Sequence, residues 1–404
     1  MRKQYEPSAD RIIALYQQLE DDILSAVIRR ILKMGYVSEA SKHQLEVLQA
    51  AGLLYDDIVQ LIADRTDACT VQVKALFEDA GVQTVEMDNS LHEAAGALPI
   101  DIRQDSSTRQ VLEAGYKKTL GTMRNLVSTT ATQTQTAFIQ TCDRIYMQVS
   151  SGAFSYQEAI MNALRALADT GTEVVYPTKH KDRMDVAVRR CVLTGVSQTA
   201  AAVSLRQAED AGCYLMEITA HSGARPDHAK WQGQLVTITG KDAGKIIDGL
   251  RVFTLSEIGY GSGEGFKGWN CRHNWHAYYP GFSTPNYTPE ELKKLDEPCI
   301  SYNGKLYTEY EVSQMQRAQE RRVRAWKRRC VTAQEGVNSA TDEATRATAQ
   351  AEFDRSARYL KNNEAKLKDF CRQTGQDRDR FREQVLGFNK STAQKAVHAA
   401  KKSG

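Results

Sequence analysis

The stretch YLMEITAHSGARPDHAKWQGQLVTIT, residues 214–239, decides how the rest of the chain is read. Tyr214–Ala220 and Gln234–Thr239 both have the alternation of short strands. Between them lies a polar loop carrying His221, Arg225, Pro226, Asp227 and His228. Upstream, TEVVYPT (172–178) breaks the helical period and reads as another short strand ending at Pro177. A helix is expected from about Asp182 to Gly212, with Val186, Val188, Val192, Val196 and Ala200–Val203 as its apolar content. Glycines become frequent over 240–268 and mark long loops. Residues 172–288 therefore form an α+β block with a small mixed sheet beside a helix.

The sequence on both sides of this block has helical period, so the fold class is mainly α with a central α+β block. In the first helix Ile12, Tyr16, Leu19, Ile23, Val27 and Ile31 recur every three to four residues, with Leu24, Ile28 and Leu32 widening the stripe before Gly35. Further helices are expected over 39–51, 54–64, 71–80, 108–127, 132–149 and 156–169. The Ser/Thr-dense run 127–136 reads as a polar helix face or a connection. This gives an N-terminal helical domain, 1–171, suited to docking. Residues 289–404 form a basic helical arm: one long charged helix over 307–375, interrupted only by Gly336, and a flexible tail, KSTAQKAVHAAKKSG.

The chain has 404 residues, 41% hydrophobic and 25% charged, enough for two or three domains. Its net charge of +3 excludes a uniformly basic nucleic-acid binder, but hides a gradient. Residues 1–100 carry 9 basic and 16 acidic side chains, residues 101–300 carry 22 and 21, and residues 301–404 carry 22 and 13. The two ends thus suit different partners, or each other. Eight cysteines without a CxxC pair fit a reduced intracellular protein rather than a disulfide scaffold. The opening MRKQYEPSAD lacks a secretory apolar region, and no apolar run approaches bilayer-spanning length.

Chemistry concentrates in two texts, HSGARPDHAKWQG and GWNCRHNWHAYYPG. His221, His228, Cys271 and His273 supply ligand types that suit zinc, although H-x6-H and C-x-H match no standard finger. A Cys-x-His pair needs an irregular turn to place both side chains on one ion. The same residues would also serve as a hydrogen-bonded lock between two loops, with Arg225 and Asp227 as a loop ion pair. Their types would equally suit a Cys–His nucleophile pair. Trp231, Trp269 and Trp275 flank the cluster as expected core aromatics. Gly263-x-Gly265-x-x-Gly268 leads into no helix and is not a dinucleotide loop, and His92–Glu93 lacks the second histidine of a zinc-protease helix. A second candidate site is the cation run Arg321, Arg322, Arg324, Lys327, Arg328 and Arg329. It reads either as a solvated helix face or as a contact for DNA or an acidic protein surface.

The segments HSGARPDHAKWQGQL (221–235), GWNCRHNWHAYYPG (268–281) and YNGKLYTEYEVSQMQRAQERRVRAWKR (302–328) resemble the phage minor capsid proteins of the minor capsid protein 2 type, encoded next to the portal gene. More loosely, the middle block is similar to the Mu F-like head morphogenesis domain, with Cys271–Arg272–His273 where that domain has Cys-Arg-Cys. The resemblance implies a non-enzymatic virion protein, inside the capsid near the portal and present in several copies. It would support head assembly and DNA packaging or ejection. The implied partners are the portal protein and the major capsid protein, with packaged DNA reached through the basic helix and no membrane. No cofactor is expected; a structural zinc is the alternative that the residue types of the His/Cys cluster leave open, and the His273 departure from Cys-Arg-Cys weakens any transfer of a metal from the family. The rival readings are a metal-dependent hydrolase or nuclease delivered with the genome, and a transient assembly factor that binds portal or nucleic acid.

Overall fold

The computed structural model describes residues 2–102, 104–176, 178 and 180–402, apart from the side chains of 2–8, 67 and 128. Pro177, the expected end of the first strand, and the last two residues of the tail lie outside them. Helices account for 66% of the chain, about twice the share in an average globular protein, so the class is mainly α.

Four helices lead: α1 (Arg2–Met34), α2 (Ala40–Ala94), α3 (Ser106–Ser150) and α4 (Tyr156–Thr170). The stripe expected in the first helix is the buried face of α1, from Ile12 through Leu32. Each such side chain contributes about 1.5–3 kcal/mol on burial. The three short helices expected between 39 and 80 are one 55-residue helix, α2, with Gly52 and Gly81 inside it. The Thr-rich run is likewise no connection but part of α3. There Thr130 and Thr136 donate to the carbonyls of Leu126 and Thr132 one turn back, which satisfies the hydroxyls inside the helix. Ser155 and Glu158 form a reciprocal capping box at the start of α4.

A two-stranded antiparallel pair follows, β1 (Glu173–Val175) with β2 (Lys181–Arg183), and then α5 (Met184–Asp210). The sheet consists of β3 (Leu215–Ile218), β4 (Leu235–Thr237), β5 (Ile246–Ile247), β6 (Leu250–Thr254) and β7 (Trp275–Tyr278), and α6 (Pro226–Ala229) lies between β3 and β4. Its strand order is β5-β6-β4-β3-β7, antiparallel except for the β4–β6 pair. Alternation sorts its residues. Met216, Ile218, Val236, Phe253, Trp275 and Ala277 share a core with Ala201 and Ala208 of α5, while Leu215, Leu235, Val252 and Tyr278 form the other face.

Next come α7 (Pro289–Leu295) and a hairpin of β8 (Ile300–Tyr302) and β9 (Lys305–Tyr307). Asn303 and Gly304 both take positive φ at its turn, the conformation an Asn-Gly pair favours. The chain ends in α8 (Glu309–Ser339), α9 (Glu343–Thr374) and α10 (Lys390–Lys402).

Two expectations for this arm are corrected. The single helix over 307–375 is an antiparallel pair, with Trp326 of α8 stacked on Tyr359 of α9 at 4.5 Å. The chain turns at 340–342, where Asp342 caps α9 through the Thr345 N–H, not at Gly336. Gly336 instead lets the helices approach, since a Cβ there would lie 2.9 Å from Leu164 Cδ1 and 3.3 Å from Ala349 Cβ. The expected flexible tail is helix α10, which buries Thr392, Ala396, Ala399 and Ala400 at i, i+4, i+7 and i+8.

The chain packs into two compact units. One contains Met1–Ile12, Cys69–Met123 and Arg189–Gln314, the other Ile13–Ala68, Arg124–Val188 and Met315–Gly404. Each draws on all three stretches 1–171, 172–288 and 289–404, because long helices run through both. Among the described residues no helix is long and apolar enough to cross a membrane.

Candidate functional site

The loop between β3 and β4 holds His221, and His228 follows on α6, where Pro226 occupies the first turn and supplies its fixed φ. The irregular segment before β7 holds Cys271 and His273. Positive φ at Lys267 and Asn270 supplies the turn that a Cys-x-His pair requires. The preceding glycines are there for backbone approach: a Cβ on Gly268 would lie 2.4 Å from the Gly263 and Ser262 carbonyl oxygens.

His228, Cys271 and His273 are all buried, and one ligand atom from each lies within 4.8 Å of the others. Cys271 Sγ is 3.6 Å from His273 Nδ1. His221 packs beside them, its ring 4.4 Å from that of His273, and its Nε2 is buried without a hydrogen-bond partner. The rings of His228 and His273 are 5.3 Å apart. Trp231 forms one wall, 4.4 Å from His228 and 4.8 Å from His273.

Outer contacts fix the imidazoles. Gln232 Oε1 already accepts the backbone N–H of His221, and its amide nitrogen faces Asp296 Oδ2 at 3.4 Å. That orientation makes Oε1 the acceptor for His273 Nε2 at 3.2 Å, and leaves the Nδ1 lone pair facing Cys271. His228 Nε2 lies 2.8 Å from the Glu264 carbonyl, to which Arg225 Nη2 also donates. Both are donors on one acceptor, which accounts for the 2.7 Å between them. His221 Nδ1 meets the Ser222 carbonyl at 2.9 Å. Arg225 Nε lies 3.7 Å from Asp227 Oδ1, at ion-pair distance.

Burial lowers the pKa of all three histidines below the ordinary 6.5. For His273, burial and then the fields of its histidine neighbours, Lys267 and Arg225 bring it to about 2. Lys267 is itself enclosed, its ammonium on Asn274 Oδ1 at 2.7 Å and Ser197 Oγ at 3.3 Å. Burial brings its pKa down to about 8, against the Cys271 and Asp88 fields.

His276 is not part of this group. Strand alternation turns it toward Glu217 Oε2, at 3.3 Å, and Asn286. Of the three flanking tryptophans, Trp231 and Trp275 are core residues, but Trp269 is 51% exposed, which corrects the expectation for it. Sequence reading missed Gln232, Lys267, Glu264 and Asp296. Glu264 acts through its backbone carbonyl and Asp296 is distant in sequence, so neither carries a ligand signature.

A family profile described as phage minor capsid protein 2 matches residues 2–372. The chain belongs to that family. It is 24% identical to a structural protein of Lactococcus phage LL-H over 333 residues, 80% of this chain and 86% of that protein. Over 81 residues, 20% of this chain and 57% of the relative, it is 37% identical to a structural protein of Lactococcus phage mv4. No solved structure matches it. As a phage minor capsid protein, the chain has a virion structural role.

In this minor capsid protein the second candidate, the α8 cation run, is largely used within its own unit. Arg329 forms a two-bond fork to Asp169, at 2.9 and 2.7 Å, and lies over the Trp326 ring. Arg324 lies 3.5 Å from Asp185, and Lys327 donates to the Glu383 carbonyl at 3.0 Å. Burial lowers the Arg328 pKa to about 10, beside Arg183, Glu20, Arg324 and Asp185. Arg321 and Arg322 are exposed.

Proposed function

We propose that the protein is a non-enzymatic component of the phage head, inside the capsid at the portal vertex. There it contacts the portal and major capsid proteins, supports head assembly, and through that assembly assists DNA packaging or ejection. The observation carrying the non-enzymatic reading is the enclosure of the only nucleophile–imidazole pair in the cluster. Cys271, His228 and His273 are 5%, 2% and 2% exposed, and their polar atoms face one another, the Glu264 carbonyl and the Gln232 side chain rather than a cleft. A hydrolase needs substrate within hydrogen-bond reach of its base, and here protein fills that space.

The portal placement rests on the resemblance of residues 221–235, 268–281 and 302–328 to portal-adjacent minor capsid proteins, while the structural-protein names of both relatives support the virion role alone. For α8, protein is the favoured partner over DNA. Four of its six clustered cations are already spent on intramolecular acids, carbonyls or burial, which leaves Arg321 and Arg322 free to face phosphate.

Cross-linking mass spectrometry of intact DNA-filled particles tests this placement. Cross-links from this chain to the portal and major capsid proteins are expected, with protection from added protease until the particle is opened. Cross-links confined to tail proteins, or cleavage of the chain in closed particles, would overturn it.

A further inference from the structure

We propose that His228, Cys271 and His273, with His221 as fourth donor, bind one zinc-class divalent ion that fastens the β3–β4 loop to the segment entering β7. Each histidine has one ring nitrogen against an oxygen acceptor: His221 Nδ1 on Ser222, His228 Nε2 on Glu264, and His273 Nε2 on Gln232. An N–H donated there leaves the lone pair on the opposite nitrogen for an ion, as in metal-bound histidines, whose second nitrogen is held by a carbonyl or amide; for His273 that lone pair faces the Cys271 sulfur. For His221 that opposite atom, Nε2, is buried with no partner. A buried acceptor without a donor costs free energy, and a cation would remove the cost.

The distances agree with the metal type. Zinc held at about 2.3 Å by sulfur and about 2.0–2.1 Å by nitrogen in tetrahedral geometry sets those two atoms about 3.6 Å apart. Cys271 Sγ and His273 Nδ1 are 3.6 Å apart. The three-residue set, within 4.8 Å, needs only small side-chain adjustments to close on an ion. Thiolate and imidazole together select a borderline-soft ion over magnesium or calcium, and the burial of His228, Cys271 and His273, with a fourth protein donor in His221, makes the site structural rather than catalytic. Binding involves no redox change. Cys271 loses its thiol proton to solvent, and the neutral imidazoles donate the lone pairs they already hold.

The test uses the full chain, loaded with Zn²⁺ and then with Co²⁺, with metal content and absorption as readouts. One ion per chain is expected, and the cobalt form should show a thiolate-to-metal charge-transfer band with tetrahedral d–d intensity. Cys271→Ser should lose that band, while Cys299→Ser, at an exposed thiol, keeps it. Gln232→Ala, which touches no ligand atom directly, should weaken zinc about 10–100-fold against a chromophoric chelator. His221→Ala should keep the thiolate band and lower affinity. Tryptophan fluorescence, to which buried Trp231 and Trp275 beside the cluster contribute, verifies folding in each variant. Metal content well below one ion per chain would overturn the site, as would a cobalt spectrum without a thiolate band or one lost in Cys299→Ser but kept in Cys271→Ser. The alternative is then a thiol–imidazole hydrogen bond, and the non-enzymatic reading is untouched by either result.

Discussion

In the sheet-bearing unit, His221, His228, Cys271 and His273 come from two segments separated in sequence and arrive at one point, with His221 Nε2 buried and without a hydrogen-bond partner. In α8, six cations lie within nine consecutive residues, yet they share no common target. The difference is geometric. A helix turns about 100° per residue, so 321, 322, 324, 327, 328 and 329 are spread over roughly 220° of its circumference rather than along one stripe. Four then meet separate partners in their own unit: Asp169, Asp185, the Glu383 carbonyl, and the buried group around Arg183 and Glu20. Density in sequence makes a surface patch only where the period of the element keeps the residues on one side. Distance in sequence is no obstacle when turns aim the side chains inward.

The largest effect should come from breaking the charge network. Glu20 is 5% exposed and receives Arg183, with Arg328 close by. Glu20→Ala leaves buried guanidinium charge uncompensated and should cost about 3–5 kcal/mol by chemical denaturation. A loss below about 1 kcal/mol would mean that these cations are solvated after all, and the contrast with the cluster would fail.

Titration should separate the two regions by sign. Burial raises Asp21, which accepts the Gly387 N–H at 2.5 Å, to about 7. The folded state therefore retains a proton that the unfolded chain gives up above about 4. This contribution is complete below that value and is lost as pH rises through 7. Asp21→Asn keeps the acceptor and removes the charge, so it should stabilise by up to about 4 kcal/mol at pH 8 and by little at pH 4.

His273 behaves in the opposite sense. With its pKa near 2 in the folded state, the unfolded chain takes up the proton first as pH falls through 6.5. Stability is lost on acidification, by about 2 kcal/mol from His273 alone between pH 6.5 and 5. Hydrogen exchange, corrected for intrinsic rates, should show β3 and β7 losing protection over that range. Unchanged protection there would show that the imidazoles are not held neutral.

The smallest effect belongs to the two exposed cations. Arg321→Ala and Arg322→Ala should each change stability by less than about 0.5 kcal/mol. Any DNA binding through α8 should have a salt slope no steeper than about −2, two phosphates' worth. A slope several times larger would restore the whole run as a nucleic-acid surface.

Much of this was legible in the sequence. The α1 stripe from Ile12 to Leu32, the strands at 215–218 and 235–237, and the four cluster residues all carry strong local signals. Other features were hidden because their signals were small. The face of α10 is built from alanines, which hardly register as an apolar stripe, so the helix read as a tail. The β8–β9 hairpin rests on Asn303–Gly304, a turn signal overshadowed by helical period on both sides. The division into compact units depends on which halves of α2, α3 and α5 pack with which partners, and local pattern does not encode that. Within the site, the orientation of His273 comes from Gln232, whose role follows from contacts to His221 and Asp296.

Quantitative mass spectrometry of purified, DNA-filled particles, referenced to the major capsid protein, tests the head-component account most directly. A low copy number that stays fixed between preparations is the predicted result. Absence of the chain from mature particles would contradict the account, and the cluster and the α8 cations would then belong to a protein that acts on the head and leaves it.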